Sequence, residues 1–321
     1  MKLRPSYLRL SMRSSICAAF SHLREGPLVV ILVGALLLSA VCAAPLQATE
    51  SPNAQKVQHQ VEEARTRLLA SEGGQIVLRA IEAHGGLEAW YRAPTSAYAW
   101  EYSNAGMDFR FKSYLVADNQ TRKIYHTLTE LGTPDKPAPV QGRFAWDGTN
   151  AWISPASLQQ PNPRFWATTA YYFESIPFVL ADPGIRYEVL PDEELNGDLH
   201  DMVIVSYGDG IGDSPGDTYT LYVNKTSGQV SAIRYTVTFG RPTKAGGEAR
   251  PKRETLLYYE DYVEVDGLKV ATRFRGFRFA DGKVGEFKNE AWATDISFKQ
   301  PFDATRLEMP ADGRIQSMPG K

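Results

Sequence analysis

The stretch RFAWDGTNAW, residues 143–152, is the clearest structural signal in the chain. Phe144 and Trp146 alternate with Arg and Ala, which is the two-residue period of a half-buried strand. The Asp-Gly pair that follows is a strong turn signal, because glycine tolerates the positive φ that a tight turn requires. The extended pattern then resumes up to Trp152. We therefore expect a β-hairpin here, with its three large aromatic residues on one face.

A strongly apolar segment, RFWATTAYYFESIPFVLADPG, follows from Arg164 to Gly184. Its aromatic and aliphatic residues are too many to share one face of a helix. A helix of this composition is either buried on all sides or covers an apolar cavity. We expect a helix from Arg164 to about Leu180, ended by a Pro-Gly stop signal. An aromatic sheet beside such a helix predicts a β shell closed by a helical lid.

The rest of the chain is mostly extended. Before Thr95, the residues Ile76, Val77, Ala80 and Ile81 share one helical face, and His84 is expected to cap that helix rather than catalyse a reaction. Further strands are expected in the first part at Thr95–Tyr102, around Phe109–Phe111 and at Lys123–Glu130, with a Pro-rich loop at Gly132–Pro139, and later at Tyr187–Leu190, Met202–Tyr207, Thr218–Asn224, Val230–Phe239, Thr255–Val263, Leu268–Phe279 and Glu286–Phe298. Turn signals join consecutive strands, and no βαβ order or internal repeat is present. The fold class is therefore mainly β (α+β), a half-open antiparallel β-barrel of about eleven strands with a helical lid.

The first 44 residues resemble a secretory signal. Five Lys or Arg residues precede an 18-residue apolar run, Pro27–Ala44, that ends in small residues. We expect cleavage after Ala43, Ala44 or Ala48 and a periplasmic mature protein. An uncleaved anchor facing the periplasm remains an alternative, because 18 apolar residues are the lower limit for crossing a bilayer. Lipidation at Cys42 is a weaker one, because the residues before that cysteine do not fit a lipobox.

Composition excludes several classes of function. The 321 residues contain only two cysteines, Cys17 and Cys42, and both lie in the leader, so disulfides and Cys-based zinc sites are not expected in the mature chain. After residue 44, 30 basic and 36 acidic residues remain from totals of 35 and 37, a net charge of about −6. With no basic cluster and no interleaved aromatic residues, nucleic acid is not an expected partner.

Several segments are similar to the LolA-like superfamily of periplasmic lipoprotein-sorting and lipid-binding proteins. They are EAHGGLEAW (82–90), FAWDGTNAW (144–152), YYFESIPFVLADPG (171–184), TLYVNKTSGQVSAIRY (220–235) and DYVEVDGLKVATRF (261–274). The resemblance extends over most of residues 75–300. It implies an incomplete antiparallel barrel whose helices close a hydrophobic cavity for acyl chains, with no catalysis. The loops at Gly132–Pro139 and Gly240–Pro251 are longer than in the lipoprotein carrier proper, and no residue matches the lid arginine of that carrier.

The resemblance and the leader together divide the chain into four parts. We expect a signal peptide at 1–44, an N-terminal arm at 45–74, a LolA-like lipid-binding domain at 75–302 and a loosely attached tail at 303–321.

The candidate site is the aromatic interior of the barrel and its lid. Each of these residues is also a reasonable core residue, but together they supply a large apolar surface, and an acyl chain gains ~0.8 kcal/mol for each buried CH₂. The predicted ligand-binding residues are Trp100, Phe109, Phe111, Trp146, Trp152, Phe165, Trp166, Tyr172, Phe173, Phe178, Tyr235 and Phe274.

No catalytic residue, metal site or cofactor is expected. The loop GDGIGDSPGD, residues 208–217, places Asp209, Asp213 and Asp217 where calcium is conceivable, but their spacing does not match an EF-hand, so a structural turn is the preferred interpretation. The histidines of the mature chain are dispersed, and no HExxH, GxSxG, GxGxxG or Walker motif occurs.

The sequence therefore predicts non-catalytic binding or transport of a lipid or lipoprotein acyl group in the periplasm. Lipid or lipoprotein acyl chains are the expected partners. Alternatives are an envelope scaffold or sensor module that binds a protein partner and, less favoured, a secreted hydrolase.

Overall fold

The computed structural model describes residues 51–208, 217–236, 239 and 254–317. Its four α-helices are α1 (Pro52–Leu69), α2 (Glu72–Ala83), α3 (Gly86–Arg92) and α4 (Pro163–Glu174). The side chains of Ser51 and Ser71 cap the N-termini of α1 and α2 by accepting backbone N–H groups. Among the described residues, every helix is too short or too polar to cross a membrane.

Fifteen strands occur within these described residues. They are β1 (Thr95–Asn104), β2 (Phe109–Asp118), β3 (Ile124–Thr133), β4 (Lys136–Trp146), β5 (Ala151–Ser154), β6 (Ile185–Leu195), β7 (Asp198–Tyr207), β8 (Tyr219–Asn224), β9 (Val230–Tyr235), β10 (Glu254–Glu260), β11 (Val263–Val265), β12 (Leu268–Val270), β13 (Arg273–Ala280), β14 (Lys283–Ser297) and β15 (Arg314–Gln316).

Thirteen of these strands form one open antiparallel sheet. Their order is β15-β5-β4-β3-β2-β1-β14-β13-β10-β9-β8-β7-β6, while β11 and β12 form a separate hairpin. β1 pairs with β14, so the first and last long strands meet in the middle of the sheet. The half-open barrel predicted from the sequence is confirmed. Its sheet has thirteen strands rather than about eleven, and one of them, β15, lies in the segment expected to be a loosely attached tail.

The segment expected to be a Pro-rich loop, Gly132–Pro139, is instead a tight hairpin. β3 continues to Thr133 and β4 begins at Lys136, with Gly132 opposite Pro137 and Glu130 opposite Pro139. The two prolines are separated by one residue, so both occupy the same parity in the strand. A proline is tolerated in a sheet only where its missing N–H is not required for the ladder, and this common parity lets β4 pair.

The first three helices lie at the end of the sheet that carries β6, β7 and β8. The expected apolar face of α2 is confirmed, because Ile76, Val77, Ala80 and Ile81 are buried. Gly73 lies so close to β6 that a Cβ on it would be 2.8 Å from the Cβ of Tyr187, and this contact requires glycine. Ala64 and Leu68 of α1 belong to the same core, so the described part of the predicted N-terminal arm contains a packed helix.

His84 ends α2 as predicted. Its backbone N–H donates to Ala80 O and Ile81 O, and its ring is fully buried. Nδ1 lies 2.8 Å from the carbonyl oxygen of Lys269, and Nε2 accepts the backbone N–H of Val230 at 3.2 Å. Because Nε2 is an acceptor, the proton is on Nδ1, and the ring joins the helix end to two strands.

The predicted lid helix is shorter than expected. α4 ends at Glu174, and a separate 3₁₀ turn, Phe178–Ala181, follows. Pro177 accounts for the break, because proline cannot donate an N–H and disfavours helical dihedrals in the residue before it.

The C-terminal segment expected to be loosely attached is part of the sheet. β15 pairs with β5, and Arg314 donates to the carbonyl oxygens of Ala156 and Leu158 at 3.2 and 2.9 Å. Phe302 and Leu307 cover an apolar cluster on the outer face of the sheet. The burial of that cluster explains the attachment.

Candidate ligand-binding site

A cavity of about 350 Å³ lies between α4 and strands β6 to β9. We call it the lid cavity. Its lid side is formed by Phe165, Thr168, Thr169, Tyr172 and Phe173. Its sheet side is formed by Trp146, Ile185, Tyr207, Tyr219, Tyr235 and, at the edge, Phe239. Its volume is within the range of about 300–1,000 Å³ that is usual for small-molecule sites.

Aromatic rings in mutual contact make up most of the wall. The ring of Tyr219 stacks on Tyr235, with centroids 6.0 Å apart and planes 21° apart. On the lid side, the ring centroid of Tyr172 lies 5.3 Å from that of Tyr219, and the ring centroid of Phe173 lies 5.0 Å from that of Tyr235. Burial raises the pKa of Tyr207, Tyr219 and Tyr235, so these phenols stay neutral. The wall is therefore aromatic, and its hydroxyl groups are neutral phenols rather than phenolates.

The floor of the lid cavity is fixed by an ion pair. Asp118 begins the turn after β2, and its side chain accepts the backbone N–H groups of Gln120 and Thr121 at 2.8 and 3.0 Å. Arg122 closes the turn in the left-handed region at φ 59°. Its Nη2 donates to both carboxylate oxygens of Asp182, at 2.7 and 2.8 Å. The turn therefore places one guanidinium beneath the 3₁₀ turn that follows α4.

Arg122 also reaches the lid helix. Its Nη1 donates to the hydroxyl of Tyr171 and, at 2.6 Å, to the carbonyl oxygen of Asn119. Its guanidinium also lies 5.5 Å from the ring centroid of Tyr171 and 5.9 Å from that of Trp90. One side chain therefore ties the β2–β3 turn to α3, α4 and Asp182.

A buried histidine holds the opposite side of α4. Nε2 of His126 lies 3.2 Å from the carbonyl oxygen of Ala167, and Nδ1 lies 3.0 Å from the hydroxyl of Ser113. A carbonyl only accepts, so Nε2 carries the proton and Nδ1 accepts from Ser113. The ring stacks on Phe144 at 4.1 Å. Burial, partly opposed by the hydrogen bond to Ala167, lowers the pKa of His126 to about 3.

The end of α4 carries a buried acid. Glu174 is 1% exposed, and the hydrogen bond recorded for its carboxyl is a long one from Ser175 Oγ at 3.5 Å. Burial raises its pKa to about 8, so the carboxyl is protonated at neutral pH. Beside it, the hydroxyl of Tyr259 donates to the carbonyl oxygen of Phe173 at 2.8 Å, which attaches the last turn of α4 to β10.

The charged side chains that line the lid cavity are balanced. Arg122 and Arg164 supply two positive charges, and Asp182 and Asp217 supply two negative charges. The guanidinium of Arg164 lies 5.0 Å from the ring centroid of Trp146 and donates to the carbonyl oxygen of Thr149 at 3.3 Å. These four side chains therefore give the lining of the lid cavity no net charge.

Five of the twelve residues predicted for the site line the lid cavity. They are Trp146, Phe165, Tyr172, Phe173 and Tyr235.

Six others belong to the main core without lining the lid cavity. They are Trp100, Phe109, Phe111, Trp166, Phe178 and Phe274.

Trp152 lies on the other face of the sheet. It is opposite Ala145 in the hairpin, so it shares the face of Ala145 and not that of Phe144 and Trp146. It packs in the outer cluster, and its Nε1 donates to the carbonyl oxygen of Leu307 at 2.8 Å. The expectation that all three hairpin aromatics share one face is therefore wrong for Trp152, because the register was not evident from the aromatic spacing.

The polar residues of the floor and part of the sheet wall were not predicted from the sequence. Arg122 and Asp182 were not singled out, because they are 60 positions apart in the chain. Tyr207 and Tyr219 lay in predicted strands without being assigned to the site. The signal that was available is the clustering of tyrosines near the ends of adjacent strands.

The possible calcium loop lies mainly outside the described residues, because Asp209 and Asp213 are not among them. Asp217 is described and lines the lid cavity. Within residues 51–208, 217–236, 239 and 254–317, no group of three or more His, Cys, Asp or Glu side chains is arranged to hold a metal ion.

No protein-family model and no curated protein matches the chain. Solved structures do match. A LolA superfamily protein, NE2245, from Nitrosomonas europaea is 11% identical, with a TM-score of 0.46 over 74% of this chain and 97% of that chain. A DUF1329 family protein from Desulfovibrio piger is 11% identical, with a TM-score of 0.45 over 78% and 97%.

A putative outer membrane lipoprotein-sorting protein domain from Vibrio parahaemolyticus is 12% identical, with a TM-score of 0.35 over 78% of this chain and 97% of that chain. The matches include the superfamily that the sequence resembles. At these identities and TM-scores they carry no functional argument, so the site is interpreted from its own geometry.

Proposed function

We propose that the protein binds a lipid or the acyl group of a lipoprotein in the lid cavity and catalyses no reaction. The observation that carries this proposal is a cavity of about 350 Å³ walled by aromatic rings and covered by a separate short helix. An apolar cavity with a few polar groups at its rim is the usual form of a site for a largely apolar ligand.

The free energy available for binding is sufficient. Each CH₂ group that leaves water contributes ~0.8 kcal/mol, so about ten such groups provide a gross ~8 kcal/mol. Association and ordering of the chain oppose this by at least ~4 kcal/mol. Ten groups therefore leave a net of at most ~4 kcal/mol, which corresponds to a dissociation constant of about 1 mM, and each further buried CH₂ tightens binding about fourfold. Binding of this strength suits a ligand that is taken up and released again.

The attachment of α4 supports reversible access. Polar contacts tie the helix to the rest of the fold through Arg122, His126 and Tyr259. The helix is 12 residues long and begins directly after a loop, so it can move as one short unit. Closure and opening of such lids commonly control access to a buried site.

We further propose that residues 1–44 are a leader, that the mature protein functions in the periplasm, and that residues 75–302 form the ligand-binding domain, on which α1 and β15 also pack. The basic residues and the apolar run of the leader support this assignment. Mass spectrometry of the mature N-terminus tests it directly.

The binding proposal is tested by displacement of a fluorescent alkyl probe from the purified mature chain. Thr168 lines the lid cavity, so Thr168→Trp places an indole in the space that the ligand needs. Thr129→Trp is the matched control, because Thr129 is exposed on β3. We expect the wild type and Thr129→Trp to bind alike and Thr168→Trp to bind at least tenfold more weakly.

Two results count against the proposal. If the wild type does not bind the probe after delipidation, the lid cavity is not an apolar site. If Thr168→Trp is folded by circular dichroism and still binds like the wild type, the ligand is bound elsewhere.

The scaffold alternative has weaker support. A partner could add a strand to β6, the outer edge of the sheet. That edge carries Glu188, Asp192, Glu193 and Glu194, and charged edge strands discourage strand addition.

A further inference from the structure

A second, polar pocket lies directly beside the lid cavity. It has a volume of about 210 Å³ and is formed between α1, α3 and the turn after β2. We call it the polar pocket. Among its residues are Gln60, Glu63 and Arg67 of α1, Tyr91 of α3 and Gln120 of the turn. Amide, carboxylate, guanidinium and phenol groups here contrast with the aromatic wall of the lid cavity.

The two cavities share a wall. Arg122, Asp182 and Pro183 line both of them. The Arg122–Asp182 pair is about one-third exposed, at 29% and 36% for the two side chains. A molecule lying across this pair would have one end in polar surroundings and the other end among aromatic rings.

Arg67 is the cation of the polar pocket that is available for a ligand. Its Nη2 donates to the carbonyl oxygen of Ala181 at 3.1 Å, and its buried Nε has no hydrogen-bond partner in the described part of the chain. Among the described ion pairs, none joins a carboxylate to Arg67. Arg122, by contrast, is occupied by Asp182, Tyr171 and Asn119.

We propose that the polar pocket is a head-group site for an amphiphile with an anionic group, which Arg67 binds while the alkyl chain occupies the lid cavity. This inference rests on the proposed function, because it assigns the two ends of the same ligand. The shared chemistry is a phosphate or carboxylate oxygen accepting hydrogen bonds from a guanidinium, which is the donor geometry best matched to such oxygens.

One hydrogen bond fixes the position of the Arg67 guanidinium. Its anchor to Ala181 O holds the guanidinium next to the 3₁₀ turn Phe178–Ala181, which precedes Asp182. The head group is therefore bound at the same segment whose Asp182 forms the shared wall. Glu63, one helical turn before Arg67, lies at the pocket and is 56% exposed, so it is directed largely toward solvent.

The test compares ligands that share one alkyl chain and differ in the head group. Dodecyl phosphate, dodecanoate and dodecanol are titrated in the probe-displacement assay at pH 7.5, with inorganic phosphate alone as the fourth arm. We expect the two anions to bind about tenfold more tightly than the alcohol, as one charge-assisted hydrogen bond provides. Inorganic phosphate should not displace the probe.

Variants then assign the preference to one residue. Arg67→Gln should reduce the affinity for the anions about tenfold, to that of dodecanol, and leave dodecanol binding unchanged. Arg67→Lys should restore part of the preference. Arg65→Gln is the matched control. Arg65 is on the exposed part of the same helix and pairs with Glu82, and its substitution removes the same charge.

The outcomes separate the head-group site in the polar pocket from the apolar site in the lid cavity. Equal affinity for all three head groups in the wild type overturns the head-group site and leaves the apolar site intact. Loss of the preference in Arg65→Gln as well as Arg67→Gln shows a general charge effect and also overturns it. A head-group preference that persists unchanged in Arg67→Gln overturns the role of Arg67. Absence of binding by every ligand contradicts both the inference and the proposed function.

Discussion

Replacing Glu174 by Gln should remove a pH-dependent penalty on the stability of the fold. Glu174 is buried at the end of α4, and burial raises its pKa from 4.5 to about 8. The unfolded carboxyl loses its proton near 4.5, whereas the folded carboxyl keeps it until about 8. Between these values only the folded state binds the proton, so a rise in pH favours unfolding.

The magnitude follows from the two pKa values. The pKa difference is about 3.5, and one pKa unit corresponds to ~1.4 kcal/mol. The free energy of unfolding should therefore fall by at most ~5 kcal/mol between pH 4.5 and 8, and by less if the site relaxes when it ionises. Gln has the shape of the protonated carboxyl and no titration, so Glu174→Gln should lose this slope.

The assay is urea denaturation at pH 5, 6, 7 and 8 at constant ionic strength, followed by tryptophan fluorescence. Glu174→Gln should gain stability over the wild type progressively as the pH rises. Glu308→Gln, at an exposed acid, serves as the control and should follow the wild type. If the curves of the wild type and Glu174→Gln stay parallel from pH 5 to 8, Glu174 is not a buried protonated acid and the packing of α4 described above is wrong.

Three further predictions follow from single contacts. His126 has a pKa of about 3 in the folded state against 6.5 in the unfolded state, so the stability of the wild type should fall as the pH drops below 6.5. In thermal unfolding, His126→Gln should lose less stability over the same pH range. Arg122→Gln should lower the free energy of unfolding by ~1 kcal/mol, because the ion pair with Asp182 is partly exposed. It should also speed amide hydrogen exchange in residues 171–182. Unchanged exchange there would contradict the role of Arg122 in holding the lid. Gly85→Ala should lower the free energy of unfolding by more than ~2 kcal/mol, because φ is +117° and a Cβ would overlap Gly267 in the β11–β12 hairpin. Gly282→Ala is the comparison, because φ is +71° there and a Cβ would have nothing within 4 Å. Its cost in urea denaturation should be only ~1 kcal/mol.

Much of the fold was predictable because its signals are local. The alternation around Phe144 and the Asp-Gly turn specify a hairpin with few residues. The capping of α2 by His84 followed from the glycines after it. The register between β13 and β14 shifts beside Gly276, and a glycine inside a strand pattern is a local signal for such a bulge.

The site was less predictable because it depends on register and on contacts distant in sequence. Trp152 has the composition of a cavity residue, but the pairing Ala145↔Trp152 turns it to the outer face, and a shift of one residue would reverse that. Arg122 faces Asp182 only because a turn in the left-handed region directs it there. Neither fact is contained in the local periodicity of the sequence.

The central claim is that the lid cavity holds an apolar ligand, and native mass spectrometry of the purified mature protein tests it most directly. Wild type and Thr168→Trp are prepared from the same host without detergent, together with Thr129→Trp. The account predicts an additional mass of an amphiphile on the wild type and on Thr129→Trp, and its absence or strong reduction on Thr168→Trp. A wild-type protein that carries no such mass, and gains none after incubation with dodecyl phosphate or dodecanol, would contradict the account.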